Sequence, residues 1–184
     1  SASREMGQGV TTTMPQFAAE ALHMDLDRIS VAPVDTAMTP YDKTTTSSRS
    51  TFHSGNAILE ACRDIKRQLC ELAAIKWKCS AADVVYTETG YIQNTKDPEL
   101  RIHINDVGKS GILHEQPPVL AIGRYGTSDI FDPPPVDGRQ SSRPTVMWMI
   151  GAQAAVVKVN PITGRVKVVK MGAAHDVGKA INPT

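Results

Sequence analysis

The sequence predicts an α+β fold, with an antiparallel or mixed sheet and two main helices packed on one of its faces. Three observations carry this. Ile58, Ala61, Cys62, Ile65, Leu69, Leu72 and Ile75 recur at three- and four-residue steps, the buried stripe of a helix from about Gly55 to Trp77. Several short stretches alternate apolar and polar residues with the two-residue period of strands. Asn160-Pro161-Ile162-Thr163-Gly164 separates two of them, with glycine where a tight turn needs a left-handed residue.

The elements follow in chain order. Gln16 to Met24 places Phe17, Ala18, Ala21 and Leu22 at helical spacing, with Pro15 in the first turn, where a missing N–H does no harm. Arg28 to Val34 alternates Ile29, Val31 and Pro33 against polar neighbours and reads as a strand. The long helix comes next. A strand pair is expected around Val84 to Ile92, turning at Thr89-Gly90, then a short helix over Ile104 to Lys109 and a strand over Val119 to Arg124. Phe131 to Pro144, with Pro133-Pro134-Pro135 and Asp137-Gly138, is a loop. Ala152 to Val159 and Arg165 to Met171 close the order as a hairpin.

The totals bound the function. A chain of 184 residues, 41% hydrophobic and 21% charged, is globular and long enough for one sizeable domain, or for two thin layers of a larger one. A net charge of +1, from 20 basic and 19 acidic side chains, argues against nucleic-acid or anionic-membrane binding driven by bulk charge. No apolar run approaches the roughly 18 residues of a membrane span, and no leader is expected at the start. Cys62, Cys70 and Cys79 lack C-x-x-C spacing and read as reduced thiols of a cytoplasmic protein, Cys62 as a small core residue. The five histidines do not pair at ligand spacing, so no protein-ligated metal is expected. Both ends read as cuts inside a larger fold.

Three segments carry chemistry. Gly7-Gln8-Gly9 sets an amide, both donor and acceptor, between two glycines that let the backbone approach a ligand; taken alone it is equally an ordinary loop before a helix. Thr44 to Thr51 supplies seven hydroxyls in eight positions just ahead of the long helix. Helix starts bear unpaired N–H groups and partial positive charge, so both segments suit an anion such as a phosphate, to which Arg49 would add charge. The other reading of the second segment is a solvated Ser/Thr loop whose last hydroxyl caps the helix. Asp176-Val177-Gly178-Lys179 with Asn182-Pro183 reads as a strand-end turn with an Asx-type bond, His175 as a strand-end residue without a catalytic task. Arg124 and Arg139 sit in loops facing either phosphate or solvent.

The order of these segments resembles a known family. Glu5-Met6-Gly7-Gln8-Gly9-Val10, Gln16, Ala19-Glu20, Asp35-Thr36, Thr46-Ser47-Ser48-Arg49-Ser50-Thr51, Gly55-Asn56-Ala57, Val159-Asn160-Pro161 with Thr163-Gly164, and His175 to Pro183 run as in the second molybdenum-cofactor-binding domain of the molybdenum hydroxylases. That group includes xanthine dehydrogenases and aldehyde oxidases. The resemblance implies that Gly7, Gln8 and Gly9 contact a molybdopterin cofactor, with or without a cytosine dinucleotide. It implies that Thr46, Ser47, Ser48, Ser50 and Thr51 bind the pterin and its phosphate, Ser47 standing where the family usually has alanine. The parent would hydroxylate aldehydes or N-heterocycles, with partner domains or subunits carrying iron–sulfur and flavin groups. The family's glutamate base, Phe-Gly loop and later Gly-Gln segment are not found here. The resemblance thus implies residues 1–184 to be an excised part of the cofactor domain, with no catalytic residue or metal ligand of its own, no cofactor bound alone, no turnover, and a tendency to self-associate. A non-catalytic phosphate- or nucleotide-binding module is the alternative.

Overall fold

The structure is a computed structural model that describes residues 3–42, 45–46, 48–130, 137–139, 143 and 145–182. It divides into two compact units, Ser1–Gly126 and Thr127–Thr184.

In the first unit, helix α1 spans Val10–Leu22. It starts six residues earlier than periodicity suggests, because Gly9 turns left-handed (φ 79°) and its carbonyl accepts from Thr12 N and Thr13 N. Pro15 therefore lies inside α1 and not in its first turn, where it deprives the helix of one ladder bond. The C-terminus closes on left-handed His23, with Met24 N–H returned to the Ala19 carbonyl at 3.0 Å. A 3₁₀ turn follows at Leu26–Arg28.

Helix α2 covers Gly55–Trp77, as the apolar period predicts. Its buried residues are Gly55, Cys62, Leu69, Ala73 and Ala74. Ile75, expected in the stripe, is 61% exposed. Two residues past Ala73 is about 200° around a helix of 3.6 residues per turn, so Ala73 and Ala74 take the core contact instead. The outer face carries Arg67 between Asp64 and Glu71, with an Nη1–Oε1 distance of 2.7 Å to Glu71.

Strands β1 (Val84–Tyr86), β2 (Tyr91–Asn94) and β3 (Arg101–His103) form an antiparallel sheet in that order, with Tyr86 opposite Ile92 and Ile92 opposite Ile102. A 3₁₀ turn at Ile104–Asp106 leads into the short helix α3, Val107–Ser110. Leu69, Ala73 and Ala74 of α2 meet Val84, Ile92, Ile104, Val107 and Ile112 in the core, where Ile92 is fully buried. Tyr86 hydroxyl donates to the Leu22 carbonyl at 2.5 Å and so ties the end of α1 to the sheet.

Two predicted strands, Arg28–Val34 and Val119–Arg124, belong to no ladder among the described residues, and Arg28 itself closes the 3₁₀ turn. Their alternation is genuine: Ile29 and Val31 are half-buried between exposed neighbours, as are Val119, Ala121 and Gly123. Alternation reports that an extended chain buries one side; a strand also requires a second backbone to pair with.

In the second unit, β4 (Ile150–Val159) and β5 (Val166–Asp176) form an antiparallel hairpin with a bulge next to Val156 and Val157. The sheet expected as one is therefore two separate antiparallel sheets. The turn is built as predicted: Asn160 Oδ1 accepts from Ile162 N (2.9 Å) and Thr163 N (3.1 Å), and Gly164 has φ +70°. Most of the predicted loop Phe131–Pro144 lies outside the described residues; within it Asp137 pairs with Arg139 at 2.7 Å. No helix of the described residues is long and apolar enough to cross a membrane.

Candidate functional site

The segment before α1 is a closed loop built by two side chains. Glu5 uses both carboxylate oxygens. Oε1 accepts from Gly7 N (2.8 Å) and Gly9 N (3.0 Å), and Oε2 accepts from Thr11 N and Thr11 Oγ1, both at 3.0 Å. These bonds, led by the Thr11 and Gly9 amides, lower the Glu5 pKa from 4.5 to about 2. Gln8 completes the loop: its Oε1 accepts from Met6 N at 2.6 Å and its Nε2 donates to the Arg4 carbonyl at 2.7 Å. One N–H and one lone pair of the amide stay unused by these two bonds. The sites where Gly7 and Gly9 would carry a Cβ are open, with no atom within 4 Å.

This corrects one expectation. The Gly9 and Thr11 N–H groups at the start of α1 are not free for a phosphate, because the Glu5 carboxylate already accepts from both. Sequence reasoning missed Glu5. Its signal was an acidic residue four positions ahead of a glycine that has no capping side chain.

The hydroxyl-rich segment reaches the long helix through one further turn. A π-helical turn, Ser50–Ser54, runs without a break into α2. It is preceded by Ser48 in the left-handed region (φ 61°), and Arg49 N donates to the Thr46 carbonyl at 2.9 Å. Single π-turns of this kind concentrate at functional sites. Thr46, Ser48, Ser50 and Thr51 lie along this turn and its approach; Ser47 lies outside the described residues. Arg49 is held between Asp42 (3.8 Å) and His53 (3.3 Å). Burial, then the Arg49 charge, lowers the His53 pKa, so the ring favours its neutral form.

Ser3 and Phe17 join the two segments, and the chain around residues 123–125 packs on the second of them. Ser3 Oγ lies 2.7 Å from Ser54 Oγ and 3.5 Å from Asp42 Oδ2, linking the chain just ahead of Glu5 to the π-turn. Phe17 of α1 packs on Gly55, where a Cβ would stand 2.9 Å from the ring. Gly123 presses so closely on α2 that a Cβ would overlap the Ala57 carbonyl oxygen. Two residues on, Tyr125 meets Phe52 and His53 edge-on, with centroids 5.6 and 6.0 Å apart. Ser3, Asp42 and Tyr125 carry no signal in the local sequence, since each acts across a long separation.

In the second unit, Asp176 ends β5 and its Oδ1 accepts from Gly178 N at 2.9 Å, the expected Asx-type turn. His175 lies in the strand opposite Gly151. Pro183 lies outside the described residues.

Comparison with known proteins gives one consistent answer. The sequence profile described as "Molybdopterin cofactor-binding domain" matches residues 1–184. The chain is 30% identical to the nicotine 6-hydroxylase large subunit of Paenarthrobacter nicotinovorans, over 97% of this chain and 21% of that one. It is 26% identical to the xanthine dehydrogenase/oxidase of Felis catus, over 97% of this chain and 11% of that one. Among solved structures it superposes on reconstituted CO dehydrogenase from Oligotropha carboxidovorans with a TM-score of 0.72 at 25% identity, covering 98% of this chain and 21% of that one. The chain thus spans about a fifth or less of the proteins it matches.

Proposed function

The chain belongs to the molybdopterin cofactor-binding domain family, and from that premise we propose that it forms one wall of the cofactor site of a molybdenum hydroxylase. Residues 1–184 are then part of a domain within a longer subunit. The observation that carries the reading is the Gly7-Gln8-Gly9 loop. Gly7 and Gln8 are exposed, the space above both glycines is open, and the loop presents an amide whose remaining N–H and lone pair are aimed by two short bonds to its own backbone. That donor set fits the edge of a pterin, which offers both donors and acceptors.

In this reading Gly7, Gln8 and Gly9 hold the cofactor from one side. Thr46, Ser47, Ser48, Ser50 and Thr51 supply hydroxyls to its polar periphery and phosphate, with or without the cytosine dinucleotide. Ser3 and Asp42 keep the two segments in register. The bound group supplies the two-electron redox chemistry by which the parent hydroxylates an aldehyde or an N-heterocycle. The chain's own residues bind and orient. None of the eight assigned residues carries an acid or a base suited to proton transfer, so the 184 residues alone should not turn over. Iron–sulfur and flavin domains or subunits complete the parent's electron path.

The test is Gln8→Ala in the full-length subunit, with Cys70→Ser on α2 as control. The variant removes a two-way hydrogen-bonding group that meets a charged cofactor, a loss of about 1.5–3 kcal/mol, or about one to two orders of magnitude in affinity. Molybdenum per protein should fall in Gln8→Ala and hold in the control. Full metal content in Gln8→Ala would return the Gly-Gln-Gly loop to a structural role and favour a non-catalytic phosphate- or nucleotide-binding module.

A further inference from the structure

The residue this reading leaves unused is Glu5, which does more hydrogen-bonding than any other side chain in the loop. No basic group pairs with it among the described residues; all four of its partners are neutral donors at 2.8 to 3.0 Å. Three of them are backbone amides spaced through the loop at Gly7, Gly9 and Thr11. Gly7 and Gly9 both sit at positive φ, 96° and 79°, in a conformation that glycine enters and leaves freely. Without an anchor these two residues would sample many backbone states, and Gln8 between them would sample many directions. The two bonds that aim Gln8 run to Arg4 and Met6, the immediate neighbours of Glu5.

We infer that Glu5 is the positioning residue of this loop: as an internal anion seated on the start of α1, it fixes the two glycines and thereby the direction in which Gln8 presents its amide. The inference rests on the cofactor reading of Gln8 above. It also removes the start of α1 from the candidate phosphate sites, because a second anion there would face the carboxylate at close range. The depressed pKa agrees with a carboxylate that stays ionised at every working pH.

The experiment is a double-mutant cycle in the full-length subunit, read as molybdenum per protein and as loop amide exchange. Glu5→Ala should lower molybdenum retention about tenfold, the equivalent of one charged hydrogen bond. On a Gln8→Ala background the same substitution should lower it no further, because a positioning residue acts only through the group it positions. Glu5→Gln keeps the shape, removes the charge and turns an amide N–H toward the donors, so it should act in the same direction. In both Glu5 variants, exchange of the residue 7, 9 and 11 amides should accelerate while that of α2 holds. Gln8→Ala alone losing molybdenum while both Glu5 variants retain it would overturn the positioning role and leave the cofactor reading intact. Equal losses from Glu5→Ala with and without Gln8 would make Glu5 a general structural residue and overturn it too. Wild-type metal content in Gln8→Ala would overturn the cofactor reading itself. Should Glu5→Ala fail to fold, Glu5→Gln and the wild-type exchange rates decide alone; unprotected amides at 7, 9 and 11 in the wild type would refute the inference.

Discussion

Gly123→Ala is the most direct probe of how the hydroxyl-rich turn is held. A Cβ at this position would overlap the Ala57 carbonyl oxygen and lie 2.7 Å from its carbon and 2.9 Å from Ala61 N. Side-chain atoms need about 3.4 Å or more, and the Ala57 carbonyl belongs to the backbone of α2, whose ladder cannot shift to make room. The 119–125 segment must therefore move away by about 1 Å or more. Tyr125 moves with it and loses its edge-on contacts with Phe52 and His53, each worth about 0.5–1.5 kcal/mol at most beyond the area buried. Overpacking of this kind costs about 1–3 kcal/mol. Gly123 lies outside any helix, so no helix-propensity gain offsets it. Urea unfolding followed by fluorescence of Trp77, which packs against the core, reads the effect. Taking ~2 kcal/mol and a slope of ~2 kcal/mol per molar, the midpoint should fall by about 1 M. Gly126→Ala, where a Cβ meets nothing within 4 Å, is the control and should stay within about 0.5 kcal/mol of wild type. An unchanged midpoint in Gly123→Ala would show that the segment does not press on α2 in solution, and the argument for Tyr125 would fall with it.

Two further outcomes follow from the same geometry. Glu5 has a folded pKa near 2 against 4.5 when free, so the order it contributes is fully present above about pH 4.5 and lost as pH falls through about 2; a Thr11 amide resonance that titrates near 4.5 instead would refute the bonding to Glu5. The hairpin exposes Val156, Val157, Val166, Val168 and Met171, each 47% exposed or more, so the chain should self-associate. Light scattering should report a smaller species for Val157→Lys with Val168→Lys, and a monodisperse monomer in the unsubstituted chain would contradict this.

Local periodicity by itself determined much of this protein. The three- and four-residue steps from Ile58 onward set the extent of α2, and Asn160 to Gly164 set the hairpin turn, because each is decided by neighbours in the chain. The sequence segments running in order from Glu5 to Pro183 were enough to indicate the family to which the chain belongs. Only the tertiary structure decided the rest. Arg28–Val34 and Val119–Arg124 alternate like strands, yet pairing depends on a second backbone that periodicity does not report. Which face of α2 is innermost turned on two alanines that sit against β1 and β2, and this put Ile75 in solvent. The Ser3–Ser54 contact spans 51 positions, and no local signal encodes a meeting at that separation. The start of α1 was legible as an anion site from its glycines. That the anion is Glu5 depended on left-handed Gly7 and Gly9 folding the chain back on itself, a backbone choice that glycine permits and only the surrounding bonds select.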